Sequence, residues 1–172
     1  GMNNAGVLAS LLDETPSDEF VQSVGAQKEA LFRERVRGTA TPLPGVIIWL
    51  ARLRAQGYSQ AIASSAPQAN IDALVDEMGI RAYFDVILSG VDMPGKPDPA
   101  VFLQAASMLR SSPDQCIVVE DATAGVEGAK RAGMKCIAIT TTNPARALRA
   151  ADIVVDRLPV LSPHDFNQLL TL

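Results

Sequence analysis

Three groups of residues in this chain have types and neighbours suited to holding an anion or a cation. The first is Ser64-Ser65, which closes the apolar run Ala61-Ile62-Ala63 and is followed by Ala66 and Pro67. Proline suits the opening turn of a helix, so the two hydroxyls and the unpaired N–H groups of that turn make a natural anion site. A serine there is equally an ordinary helix cap. The second is Lys96, held between Gly95 and Pro97 in the stretch SGVDMPGKPDPAVF. On so stiff a loop a lysine points in a defined direction, suiting a fixed phosphate contact, although a lone lysine is commonly solvated surface. The third is Glu120-Asp121, directly after Ile117-Val118-Val119. Adjacent carboxylates offer the hard oxygen ligands that Mg²⁺ takes, or they cap the helix that follows.

These residues need elements that deliver them to one place. The run Ile117-Val118-Val119 has no polar alternation, as expected of a strand covered on both faces in a parallel sheet. In open α/β sheets ligands bind outside the carboxyl ends of the strands, which is where Glu120 and Asp121 would stand. The pattern around them alternates. Strands are predicted over 58–63, 84–88, 115–119, 135–139 and 152–155. Helices are predicted over 44–56, 67–78, 98–110, 122–132, near 144–150 and from 163. Such alternation gives an α/β fold with a mainly parallel sheet in three layers. Ahead of it, residues 17–37 place Phe20, Val24, Leu31 and Phe32 at broadly helical spacing, with Ser17 as the N-cap of an amphipathic helix. The stretch GTATPLPG then breaks the pattern and marks the border of the main domain.

Composition narrows the function classes. The chain has 172 residues, of which 48% are hydrophobic and 20% charged, enough to bury one real core. Its net charge of −4, with scattered basic residues, argues against a nucleic-acid or anionic-membrane partner. No apolar run approaches the ~20 residues of a membrane span, and the start GMNNAGVLASLL has neither a positive leader nor a cleavage site, so a cytoplasmic protein is expected. Gly1 ahead of Met2 reads as a cloning remnant. Cys116 and Cys136 begin two apolar runs and read as small buried thiols in a reduced compartment. His164, beside Pro163 and Asp165, reads as a surface residue at the start of the closing helix.

Taken in order, these pieces resemble the second, third and fourth motifs of the haloacid dehalogenase superfamily. The wording LPGV, ASSAPQAN, GKPDPAVF, VVEDATAGVEGAKRAGM and ITTTNP is most similar to the β-phosphoglucomutase-like branch of phosphatases and mutases. The resemblance covers residues 40 to 160. It implies a three-layer Rossmann-like core over 41–172, with residues 1–40 as the remnant of a helical cap. It also implies a Mg²⁺-dependent phosphoryl transfer on a small phosphorylated metabolite. Ser64 and Ser65 would bind the phosphoryl group, Lys96 would hold nucleophile and phosphate together, Asp121 would bind Mg²⁺, and Glu120 would orient its shell. A phosphatase fits better than a phosphomutase, because Ser65-Ala66-Pro67 stand where the mutase relatives carry polar residues including a lysine. Arg33, Arg35 and Arg37 read as a solvated helix face, with substrate contact as the alternative.

The departure lies in the first motif. That motif is a strand ending in Asp-x-Asp-Gly-Thr, whose first Asp attacks phosphorus, and no such string occurs here. Asp13, after the apolar run of VLASLLDET, is the nearest candidate, but the second acid and the glycine are lacking and a cap helix is the better reading. The chain is therefore expected to hold most of a phosphate and metal site without the residue that does the chemistry. The non-catalytic alternative is a phosphate- and Mg²⁺-binding or interaction module. The missing strand would lie in the sheet between those ending in Ser64 and Asp121. Its place could be taken by Val7–Leu12, by a partner chain through homo-oligomer formation or strand exchange, or by direct pairing of the flanking strands.

Overall fold

The computed structural model describes residues 4–12 and 15–170, with side chains from residue 8 onward. The chain divides into two compact units, Gly1–Ala40 and Thr41–Leu172. The first holds two helices, α1 (Asn4–Leu12) and α2 (Asp18–Val36). Ser17 caps α2, its hydroxyl accepting the Phe20 N–H at 3.3 Å. Asp18 and Glu19 in the first turn and Arg33 and Arg35 in the last complement the helix dipole. The predicted amphipathic helix thus forms, but Phe20, Leu31 and Phe32 stay exposed, so its ends define it more than burial does. Val7–Leu12 lies within α1 and is helical, so it supplies no strand. Asp13 lies outside the described residues.

The second unit alternates as the sequence predicts: α3 (Val46–Ala55), β1 (Ala61–Ser64), α4 (Gln68–Glu77), β2 (Val86–Ser89), α5 (Ala100–Met108), β3 (Ile117–Glu120), α6 (Thr123–Arg131), β4 (Lys135–Ile139), β5 (Ile153–Val155) and α7 (Pro163–Leu170). All strand pairs are parallel. They form two sheets rather than one, β1 beside β2 and β3-β4-β5, with no pairing between β1 and β3. The helix expected near 144–150 is only a 3-10 turn at Ala145–Ala147, ending where Leu148 drops into the core.

Strand β4 shows why helices must cover both faces. Side chains alternate along a strand, so Cys136 and Ala138 face one way and Ile137 and Ile139 the other. The first pair packs with Phe102, Val126 and Ala129 of α5 and α6. The second packs with Trp49 of α3 and Phe166 and Leu169 of α7. Trp49 is the anchor of that second face. Its ring lies 4.7 Å from that of Phe166, and its indole N–H donates to the Leu158 carbonyl at 3.0 Å. A third cluster, Ile71, Val75 and Ile80, packs α4 against the β1-β2 sheet. Both cysteines are free thiols, Cys136 fully buried and Cys116 half-buried, and His164 is exposed.

Candidate active site

The strands are parallel within each sheet of the second unit, and the carboxyl ends of β1 and β3 border one cleft. Ser64 ends β1, Glu120 ends β3, and Asp121 follows it. Lys96 comes from the loop between β2 and α5. A cleft of about 330 Å³ is lined by Ser64, Lys96, Glu120, Asp121, Thr141 and Leu43. Ser65, the second serine of its pair, is exposed and does not line this cleft.

The side chains are held by named contacts. Ser64 Oγ accepts the Ala66 N–H at 3.2 Å through a lone pair, leaving its proton to be donated elsewhere. Lys96 reaches across the end of the sheets, its Nζ donating to Glu120 Oε1 at 2.6 Å and to the Ala63 carbonyl at 3.4 Å. It also lies 4.6 Å over the Phe102 ring. These contacts explain the fixed direction of a lysine that is only 18% exposed. Glu120 places its second oxygen on the amides of Asp121 and Ala122, at 2.9 and 3.0 Å, just ahead of α6. Both of its oxygens are therefore occupied by protein donors. Gly125 makes room for them: a Cβ there would lie 2.1 Å from the Glu120 carboxylate.

Asp121 is gripped differently. Its Oδ2 accepts the hydroxyls of Thr141 at 2.8 Å and Thr142 at 2.5 Å, and its carbonyl accepts the Asn143 side-chain amide at 3.0 Å. This Thr-Thr-Asn clasp follows β4 and was not assigned a role by the sequence reading. The signal that could have found it is a run of three hydroxyl residues, Thr140 to Thr142, directly after an apolar strand on the same rim. Among the described residues no group of three or more His, Cys, Asp or Glu could enclose a metal ion. Of the two carboxylates lining the cleft among the described residues, Glu120 is paired with Lys96, and Asp121 has the hydroxyls of Thr141 and Thr142 as neighbours.

A family description, haloacid dehalogenase-like hydrolase, matches residues 8–139. The chain belongs to this family. It is 31% identical over 170 residues to the chloroplastic 5-amino-6-(5-phospho-D-ribitylamino)uracil phosphatase of Arabidopsis thaliana, an alignment covering 98% of this chain and 46% of that one. The chain thus spans about half the length of this curated relative. Among solved structures, a haloacid dehalogenase hydrolase of family IA from Entamoeba histolytica superposes with a TM-score of 0.91 at 23% identity, over 100% of this chain and 80% of that one. A β-phosphoglucomutase from Clostridium difficile superposes with a TM-score of 0.87 at 22% identity, over 99% and 78%. These likenesses show the α/β fold of the family, parallel sheets with flanking helices. No helix among the described residues is long and apolar enough to cross a membrane.

Proposed function

We propose that the unit Thr41–Leu172 carries the phosphate- and cation-holding part of a phosphate monoester hydrolase site for a small phosphorylated metabolite. The supporting observation is the convergence of Ser64, Lys96 and Asp121 on one cleft at the carboxyl ends of parallel strands. Membership of a hydrolase family with a phosphatase relative agrees with it.

The donor set fits Mg²⁺, which is usually bound by one or two carboxylates plus substrate phosphate and keeps several waters. Asp121 would hold it, oriented by Thr141 and Thr142. When bound, Mg²⁺ would neutralise charge on the phosphoryl oxygens. Ser64 donates its hydroxyl proton to a phosphoryl oxygen, and Lys96 sets a positive charge beside the same group. Glu120 keeps Lys96 and the first turn of α6 in place through its three hydrogen bonds. Within these 172 residues no Asp-x-Asp-Gly-Thr occurs. The attacking carboxylate is therefore assigned to a segment outside them, and this chain alone turns over phosphate esters only at trace rates. Without that segment the cleft serves as a phosphate- and Mg²⁺-binding module. Water rather than a second substrate hydroxyl accepts the phosphoryl group in this reading, since Ser65-Ala66-Pro67 stand where the mutase relatives carry polar residues including a lysine.

The test is p-nitrophenyl phosphate turnover with Mg²⁺ by the chain and by Asp121→Asn. Expected is the same trace rate for both. Robust turnover that disappears in Asp121→Asn would overturn the assignment of the nucleophile to another segment.

A further inference from the structure

Three groups of different kinds surround the ammonium of Lys96. They are the Glu120 carboxylate at 2.6 Å, the Ala63 carbonyl at 3.4 Å, and the face of the Phe102 ring, whose centre lies 4.6 Å from Nζ. An ammonium has three N–H donors, so two of them have acceptors and the third has none among the described residues. The ring acts on the charge as a whole, because its negative face attracts a cation without offering a lone pair. Such attraction is weak at exposed sites and strongest where both partners are shielded from water. Phe102 is 5% exposed and the Lys96 side chain 18%, so this pair lies towards the strong end.

The neighbours of the ring are fitted to it. Phe102 stands in the first turn of α5, six residues after Lys96, with its amide donating to the Pro99 carbonyl at 3.0 Å. On the α6 side Gly128 leaves it room, since a Cβ there would lie 3.1 Å from the ring edge. Gly125, on the same face of α6 three residues earlier, leaves room for Glu120 in the same way. The two glycines thus clear space for both side chains that hold Lys96.

We propose that Phe102 is the positioning residue of Lys96, holding its charge at the cleft by cation–π attraction so that the uncommitted N–H is available to an oxyanion. Without the ring, Glu120 is the one strong partner, and the four-carbon stem of a lysine has many rotamers open to it once a single ion pair loosens. With the ring, two strong contacts fix the ammonium at once. The role rests on the phosphate-holding cleft proposed above, and adds to it a side chain that touches no ligand.

The test replaces Phe102 in the full chain by phenylalanine carrying one, two or three ring fluorines, which keeps the ring in the core while draining its negative face stepwise. Phe102→Leu would confound the two effects, because it also leaves a gap in the core. Urea unfolding of the series, in the parent and in Lys96→Met, reads the hold on the ammonium. Titration with inorganic phosphate, followed by amide shifts, reads its use. The folding equilibrium constant should fall in steps, by ~5-fold with three fluorines, and stay level in Lys96→Met. The phosphate dissociation constant should rise in parallel, by ~3-fold, as the fraction of molecules holding Lys96 in place drops to about a third. Equal stability trends in both backgrounds, or none in the parent, would overturn the proposal. So would a phosphate affinity that stays level while stability falls, because the ring would then serve the fold alone. A parent chain that binds no phosphate would refute the cleft reading itself, and with it any positioning role for the ring.

Discussion

Replacing Gly125 by alanine tests the geometry of the cleft at its tightest point. In the interior of an exposed helix this change ordinarily stabilises by about 1 kcal/mol, since alanine is the better helix former. Gly125 lies inside α6, but the new Cβ would meet the Glu120 carboxyl carbon and one oxygen at 2.1 Å and the other oxygen at 2.6 Å. Glu120 is 11% exposed and accepts two backbone amides and Lys96, so it has no free rotamer that keeps these bonds. Hydrogen bonds to a charged group contribute about 1.5–3 kcal/mol each, so losing the two amide bonds costs about 3 kcal/mol at the lower figure. Against the helix gain, the net loss is about 2 kcal/mol. Urea unfolding of Gly125→Ala, Glu120→Ala and the double variant measures it. With Glu120 shortened the clash is gone, and Gly125→Ala should then stabilise by about 1 kcal/mol, a coupling of about 3 kcal/mol across the cycle. A neutral or stabilising effect of Gly125→Ala in the presence of Glu120 would refute the reasoning.

Burial, reinforced by the nearby Glu120 and Asp152 charges, pushes the Cys136 thiol up to about 12, so a thiol reagent at pH 8 should leave it unmodified until the chain is unfolded. Cys116, raised less by its partial burial, should label first; equal labelling rates for both in the folded chain would contradict this order. Burial raises the Asp152 carboxyl too, but Lys130 Nζ at 2.7 Å and the Cys136 N–H at 2.7 Å outweigh it and hold it below its usual 3.8. A folded value below the unfolded one stabilises above the unfolded value, and that share is lost as pH falls from about 3.8 through the folded value. Urea midpoints between pH 5 and pH 2.5 should therefore fall more steeply for the parent than for Asp152→Asn, and parallel curves would refute the linkage.

Much of the fold is legible because it rests on local chemistry. The apolar runs at Ala61, Val86, Ile117 and Lys135 become strands within a few residues of their predicted ends, since each is bounded by a Gly, Pro or charged segment that cannot continue it. Ser64, Lys96 and Asp121 could be singled out for the same reason, as polar residues placed where apolar runs stop. What eluded the sequence depends on approach in space. That Glu120 pairs with Lys96 depends on the room left by Gly125, five residues on, and on a loop 24 residues earlier. The clasp of Thr141, Thr142 and Asn143 on Asp121 exists only because β4 lies beside β3 in this register. The turn at Ala145–Ala147 stops at Leu148, whose backbone (φ −100°, ψ 8°) leaves the helical range, and periodicity over so few residues does not reveal such a stop. The separation into two sheets is likewise a matter of which edges meet, on which single strands are silent.

The central claim is that Ser64, Lys96 and Asp121 form one anion- and cation-holding cleft. Titration of the chain with inorganic phosphate, followed by amide chemical shifts with and without Mg²⁺, tests it most directly. The account predicts saturable, Mg²⁺-enhanced shifts at Ser64, Lys96 and Asp121–Thr123, lost in Lys96→Met and reduced to the Mg²⁺-free response in Asp121→Asn. Shifts that are absent, or that persist unchanged in both variants, would contradict it.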